Sequence, residues 1–141
     1  LLVGGRKPRK NTQFVRGLYL GHFGAVLLEA GEGIDRSDEE MVRLYRAARV
    51  VVMPSKLEGF GLPVLEAMAS GRPVVCSNRG ALPEFGIETT PLIRELWIER
   101  IKHLLRDDAH WQREADDNAE KAKAYSWDQT AADCAAAWTR V

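Results

Sequence analysis

A chain of 141 residues is the size of one domain and is long enough to bury a substantial core. Its 20 Lys and Arg balance its 20 Asp and Glu, which argues against the basic excess of a nucleic-acid binder. No apolar stretch approaches the ~20 residues of a membrane span, no signal-peptide pattern is visible, and Cys76 and Cys134 have neither metal nor redox spacing, as expected in a reducing compartment.

Apolar runs alternate with helical patterns, which predicts an α/β domain on a parallel sheet. Residues 1–4 read as the first strand, and residues 11–23 as a helix weakened by Gly17 and Gly21. Residues 25–28 read as a second strand and 31–33 as a loop. Ser37 and Glu40 form a capping box that opens a helix to about Ala48. Residues 50–53 are a third strand, apolar on both faces as a buried parallel strand should be. Leu62-Pro63 starts a helix, with proline where its missing N–H is harmless, and Gly71 and Pro73 stop it. Residues 74–76 are a fourth strand. The remainder reads as helical. Thr90-Pro91 is a cap, and Ile93, Leu96, Trp97, Ile101, Leu104 and Leu105 mark one apolar face. A polar helix covers residues 109–124, and Ser126 with Gln129 caps a last helix whose apolar face is Trp127, Ala131, Cys134 and Trp138.

The most informative segment is Glu58-Gly-Phe-Gly-Leu-Pro-Val-Leu-Glu66, two carboxylates with seven residues between them around a glycine turn. The order strand, glycine loop, helix aims backbone N–H groups and a helix N-terminus at one point, which suits a phosphate. The two acids flanking that point can accept hydrogen bonds from sugar hydroxyls. Gly59 and Gly61 allow close backbone approach, Phe60 is expected to pack beneath the loop, and the Gly61 and Leu62 N–H groups are the expected ligand contacts. The segment from Asn78 to Glu84 leaves the fourth strand at the same edge, where ligands of such sheets collect, so Gly80 and Glu84 are further lining candidates.

The run MPSKLEGFGLPVLEAMASGRPVVCSNRGALPEFG resembles the donor-sugar site of family 4 retaining glycosyltransferases of the GT-B fold, whose acidic E-x7-E pair is matched by Glu58 and Glu66. VGGRKPRKN resembles that family's first strand and basic phosphate loop, SDEEMVRLYRAARVVVMPS the helix and strand before the acidic motif, and YSWDQTAADCAAAW its closing helix. The resemblance implies a Rossmann-like parallel sheet flanked by helices, a single compact domain equivalent to the C-terminal, donor-binding half of a GT-B enzyme. Residues 1–141 would then form a nucleotide-sugar-binding domain, with 126–141 as the C-terminal helix. The implied activity is transfer of a glycosyl group from a nucleotide-diphosphate sugar to an acceptor hydroxyl, with retention of configuration and without metal. The acceptor, a glycan or lipid-linked molecule, would be held by an N-terminal domain outside this chain. GDP-mannose is the donor toward which the PRKN and GALPE forms lean. The expected location is cytoplasmic, peripheral to the inner membrane face in the full-length enzyme.

By the same resemblance, Arg6 and Lys10 carry the charge that stabilises the departing diphosphate, with Lys7 or Arg9 as alternatives to Arg6 because Gly5 stands where many relatives have arginine. Gly5, Gly59, Phe60, Gly61, Leu62 and Gly80 line the donor, Glu66 accepts the ribose hydroxyls, and Glu58 either orients the sugar or steadies positive charge at the anomeric carbon. His22, His103 and His110 have no catalytic spacing. The family usually has an extra helix and strand between Leu28 and Ser37, and a short strand after Gly86. The chain's shortness in both places predicts a reduced sheet and leaves a second reading, a non-catalytic scaffold domain derived from such an enzyme.

Overall fold

The computed structural model describes residues 2–3, 7–19, 22–30 and 36–139. Five strands, β1 (Leu2–Val3), β2 (Glu29–Ala30), β3 (Val51–Met53), β4 (Val74–Ser77) and β5 (Thr89–Thr90), form one sheet in the order β2-β1-β3-β4-β5. All pairings are parallel, with Leu2 opposite both Glu29 and Val52, Val51 opposite Val74, and Cys76 opposite Thr89. The helices are α1 (Thr12–Tyr19), α2 (Asp38–Ala47), α3 (Leu62–Ala69), α4 (Arg94–Arg106), α5 (Asp108–Ala122) and α6 (Trp127–Trp138).

Alternation along the strands sends successive side chains to opposite faces, so the sheet separates two cores. Val50, Val52 and Val75 meet Val15 and Leu18 of α1 and Trp97, Ile101 and Leu104 of α4. Val51, Met53, Val74 and Cys76 meet Tyr45 of α2, Val64, Ala67 and Met68 of α3, and Ala122 of α5. Helices on both faces are what buries β3 and β4 throughout. The expected capping box on α2 is complete, since the Glu40 N–H donates to Ser37 Oγ and the Ser37 N–H to Glu40 Oε2 at 2.9 Å.

Several sequence expectations need correction. Residues 25–28 form no strand; β2 comes just after them, at Glu29–Ala30. Its register buries Ala30, while Arg16 of α1 holds both oxygens of Glu29. The apolar residues 25–28 instead help line a cavity of about 290 Å³ with Val15, Phe23, Val50 and Ile101. The sheet also keeps an edge strand after Gly86, because Thr89–Thr90 pair with β4 through their backbone in a stretch too short to have a readable period. Thr90-Pro91 does not start α4: its N-cap is Ile93, while the Pro91 carbonyl accepts from the Trp97 indole N–H at 2.8 Å. Ile93 and Leu96, placed on that helix's apolar face by periodicity, are exposed. So is all of α6, including Trp127 at 76 % and Trp138 at 85 %.

Candidate donor site at the sheet switch point

Chain order along the sheet reverses between β1 and β3, since β1 is followed outward by β2 and the chain then crosses to β3 on its other side. The crevice beyond the carboxyl ends of two such strands is where open α/β sheets bind ligands. The segments that leave β1 and β3 there are the basic turn and the acidic glycine loop.

Hydrogen bonds and ion pairs join these segments. Residues Pro8–Lys10 form a 3₁₀ turn ended by Asn11 in the left-handed region at φ 53°, a conformation asparagine tolerates. The Asn11 side-chain amide donates to the Pro54 carbonyl at 3.1 Å, and the Lys56 N–H donates to the Arg9 carbonyl at 2.7 Å. Lys10 Nζ consequently lies 2.7 Å from Glu58 Oε1, across 48 residues of sequence. Glu58 is only 6 % exposed and Lys10 18 %, and Arg9 Nη1 stands 3.8 Å from the other Glu58 oxygen. The sequence brings out both Lys10 and Glu58, but not that they pair with each other. Gly5 and Arg6 lie outside the described residues.

Glu58 is fixed from behind by the turn after β4. Gly80 has φ 60°, and a Cβ there would overlap the Glu58 carbonyl oxygen, which accepts from the Ala81 N–H at 3.1 Å. Ser77 Oγ donates to the Ser55 carbonyl in the same layer. Gly80 thus acts by letting two backbones touch. Gly61, the α3 N-cap at φ 106°, is also a packing glycine: a Cβ would stand 2.7 Å from Leu82 Cδ2 and 3.2 Å from the Phe85 ring. A Cβ on Gly59 would meet nothing within 4 Å, so that side of the loop is open to a ligand.

An α-helix cannot satisfy its own first N–H groups. Gly61 offers no capping side chain, and among the described residues the Gly61 and Leu62 N–H groups have no acceptor. Phe60, half exposed, packs edge-on to Phe85 and Tyr125, with centroids 5.4 and 6.1 Å away, rather than beneath the loop. Glu66 follows on α3, exposed, with one oxygen taken by the hydroxyl of Tyr45 at 2.7 Å. Sequence reading did not single out Tyr45, whose place on the apolar face of α2 marks it as core. Glu84 is exposed in the 3₁₀ turn Leu82–Phe85.

Two of the histidines without catalytic spacing lie together elsewhere. The rings of His103 and His110 lie 4.2 Å apart, and Arg100 Nη1 stands 3.0 Å from His110 Nε2. Arginine can only donate, so that nitrogen is the acceptor. Arg100, 8 % exposed, also pairs with Glu114 and with Glu88 at 3.3 Å. Among the described residues no group of three or more His, Cys, Asp or Glu could hold a metal ion, and no helix is long and apolar enough to cross a membrane.

This fold is that of the C-terminal domain of GT-B glycosyltransferases. The structure superimposes with a TM-score of 0.76 and 17 % identity on the catalytic domain of cholesterol-alpha-glucosyltransferase from Helicobacter pylori, covering 89 % of this chain and 98 % of that one. It also matches the C-terminal domain of a glycosyl transferase group 1 family protein from Francisella tularensis, with a TM-score of 0.72 and 22 % identity over 87 % of this chain and 83 % of that one. The family described as Glycosyl transferases group 1 matches residues 1–107, and the chain belongs to it. Among curated relatives it is 42 % identical over 95 residues to the O-antigen chain mannosyltransferase B of Escherichia coli, a match that takes in 64 % of this chain. It is 39 % identical over 103 residues to the D-inositol 3-phosphate glycosyltransferase of Corynebacterium glutamicum, covering 69 % of this chain. In both cases it spans a quarter of the relative's length.

Proposed function

We propose that this domain binds the nucleotide-diphosphate sugar of a retaining hexosyltransferase. The observation that carries the reading is the meeting of Lys10 and Glu58 at the switch point, beside the uncapped start of α3. In the proposed complex Lys10 turns one of its three N–H donors to the diphosphate while Glu58 keeps the ammonium in place. A charge-assisted hydrogen bond of this kind is worth about 1.5–3 kcal/mol, against about 0.3–1 kcal/mol from the α3 dipole. Negative charge grows on the departing diphosphate as the glycosidic bond breaks, so donors already aimed at it lower the barrier. Because these donors are cationic and backbone groups, the proposed transfer needs no divalent metal. Glu66 accepts the ribose hydroxyls. Glu58, buried against Lys10, orients the sugar or steadies the anomeric carbon.

The mannosyltransferase relative supports a mannosyl donor, GDP-mannose first. The acceptor, a glycan or lipid-linked hydroxyl, would be completed by a second domain, and the working place would be the cytoplasmic face of the membrane. Calorimetric titration with GDP, GDP-mannose and UDP tests the reading. Saturable binding that is indifferent to EDTA and weakened by Lys10→Ala is expected. Absence of saturable binding to any of the three would favour a scaffold domain, the reading that the short connection between Leu28 and Ser37 supports.

A further inference from the structure

Tyr45 is 2 % exposed, one of the largest fully buried side chains, and its ring sits in the core beneath α2 and α3. A phenylalanine would fill that position without a polar atom to satisfy. The hydroxyl therefore needs a reason, and its partner is Oε2 of Glu66, 2.7 Å away. We propose that Tyr45 is a positioning residue for the ribose: its buried hydroxyl donates to Oε2 of Glu66 and holds that carboxylate with Oε1 free to accept the vicinal diol of a nucleotide.

This rests on the ribose assignment of Glu66 made above and adds the device that makes it effective. Glu66 is exposed on a helix surface, where an unanchored glutamate samples many rotamers. Anchoring it to the core moves the loss of rotamer freedom from binding to folding, which is how preorganisation raises affinity. Oε2 keeps a second lone pair, so both oxygens can still face the diol. Burial, reinforced by the bond to Glu66, pushes the Tyr45 hydroxyl far above its ordinary range. It remains a donor at every pH at which the enzyme would work.

The test compares GDP and UDP with their 2′,3′-dideoxy analogues on the whole chain, by calorimetry. Each affinity ratio is measured on one preparation, so the folded fraction cancels. In the native protein the ribose forms should bind more tightly than the dideoxy forms. Tyr45→Phe should weaken the ribose forms by about three- to tenfold, up to about 1.4 kcal/mol, and leave the dideoxy forms unchanged. Tyr45→Met, of similar bulk, should do the same and serves if the phenylalanine variant folds poorly. In a Glu66→Ala background Tyr45→Phe should have no further effect. If Glu66→Ala abolishes the preference for ribose while both Tyr45 variants keep it, the positioning role falls and the donor-binding reading stands. If the native protein binds ribose and dideoxy forms alike, or neither, the ribose assignment itself falls and the role of Tyr45 with it.

Discussion

The pair between Lys10 and Glu58 can be weighed by a double-mutant cycle. Solvent-exposed ion pairs couple by about 0.2–1 kcal/mol, whereas breaking a buried one costs about 3–5 kcal/mol. With Glu58 at 6 % exposure and Lys10 at 18 %, this pair lies nearer the buried limit. A coupling of about 1.5–3 kcal/mol is therefore expected between Glu58→Gln and Lys10→Met. Glutamine keeps the shape and an acceptor, and methionine keeps the stem, so the cycle isolates the charge. Urea denaturation gives each corner. Thermal melting offers a check: at about 2.1 cal/mol/K per residue, 141 residues convert each 1 kcal/mol into about 3.4 °C. Each single variant should lose stability, and the double variant should recover a large part of it. A coupling below about 0.5 kcal/mol, the range of exposed pairs, would refute the claim that the two loops hold each other through buried charge. The site would then lose its main physical support.

Gly61→Ala should cost about 2–3 kcal/mol in urea, since the left-handed backbone alone costs about 1–2 kcal/mol for a non-glycine residue and its Cβ would press Leu82; Gly59→Ala, with open space around it, should be close to neutral. Cys76 is fully buried, and burial pushes its thiol from 9.0 up to about 12. Its folded pKa is the higher one, so its contribution is complete below pH 9 and is lost as pH rises toward 12, with a slope approaching about 1.4 kcal/mol per pH unit. Cys76→Ala should remove that slope, and in the native protein Ellman's reagent should label Cys134 alone. Trp97 is fully buried while Trp127 and Trp138 face water, so acrylamide should quench a red-shifted emission that disappears in the Trp127→Phe/Trp138→Phe variant. Arg100→Met should destabilise by about 2–4 kcal/mol, because it leaves Glu114, largely buried, without its cation; a loss under about 0.5 kcal/mol by urea denaturation would show that Glu114 finds water.

Much of the site was legible because its chemistry is local. Proline after a glycine turn, an apolar strand before it and acids at fixed spacing mark Glu58 and Glu66 without any tertiary information. Capping residues likewise placed α2, and the motif helix began where Leu62-Pro63 said it would. What escaped is what depends on the third dimension. The apolar residues 25–28 look like a strand, yet the sheet takes the next two residues, because strand choice there depends on register against β1. Gly61 and Gly80 read as openings for a ligand, yet both are demanded by neighbours distant in sequence. Tyr45 reads as core and is core, and only the packing of α2 against α3 brings its hydroxyl to Glu66. Apolar periodicity cannot tell an inner face from an outer one, so Ile93 and Leu96 read as part of the buried face of α4 although both are exposed.

The bareness of α6 bears on how the molecule breathes. A helix of 12 residues is marginal in water when nothing packs on it, and here its support is alanine-rich sequence, the Ser126 cap and one Gln129–Asp133 bond. Its amide protons should then exchange with solvent through local opening, independently of the sheet, while those of β3 and β4 wait for global unfolding. Hydrogen exchange should therefore report two cooperative units, a slow sheet and a faster-opening α6.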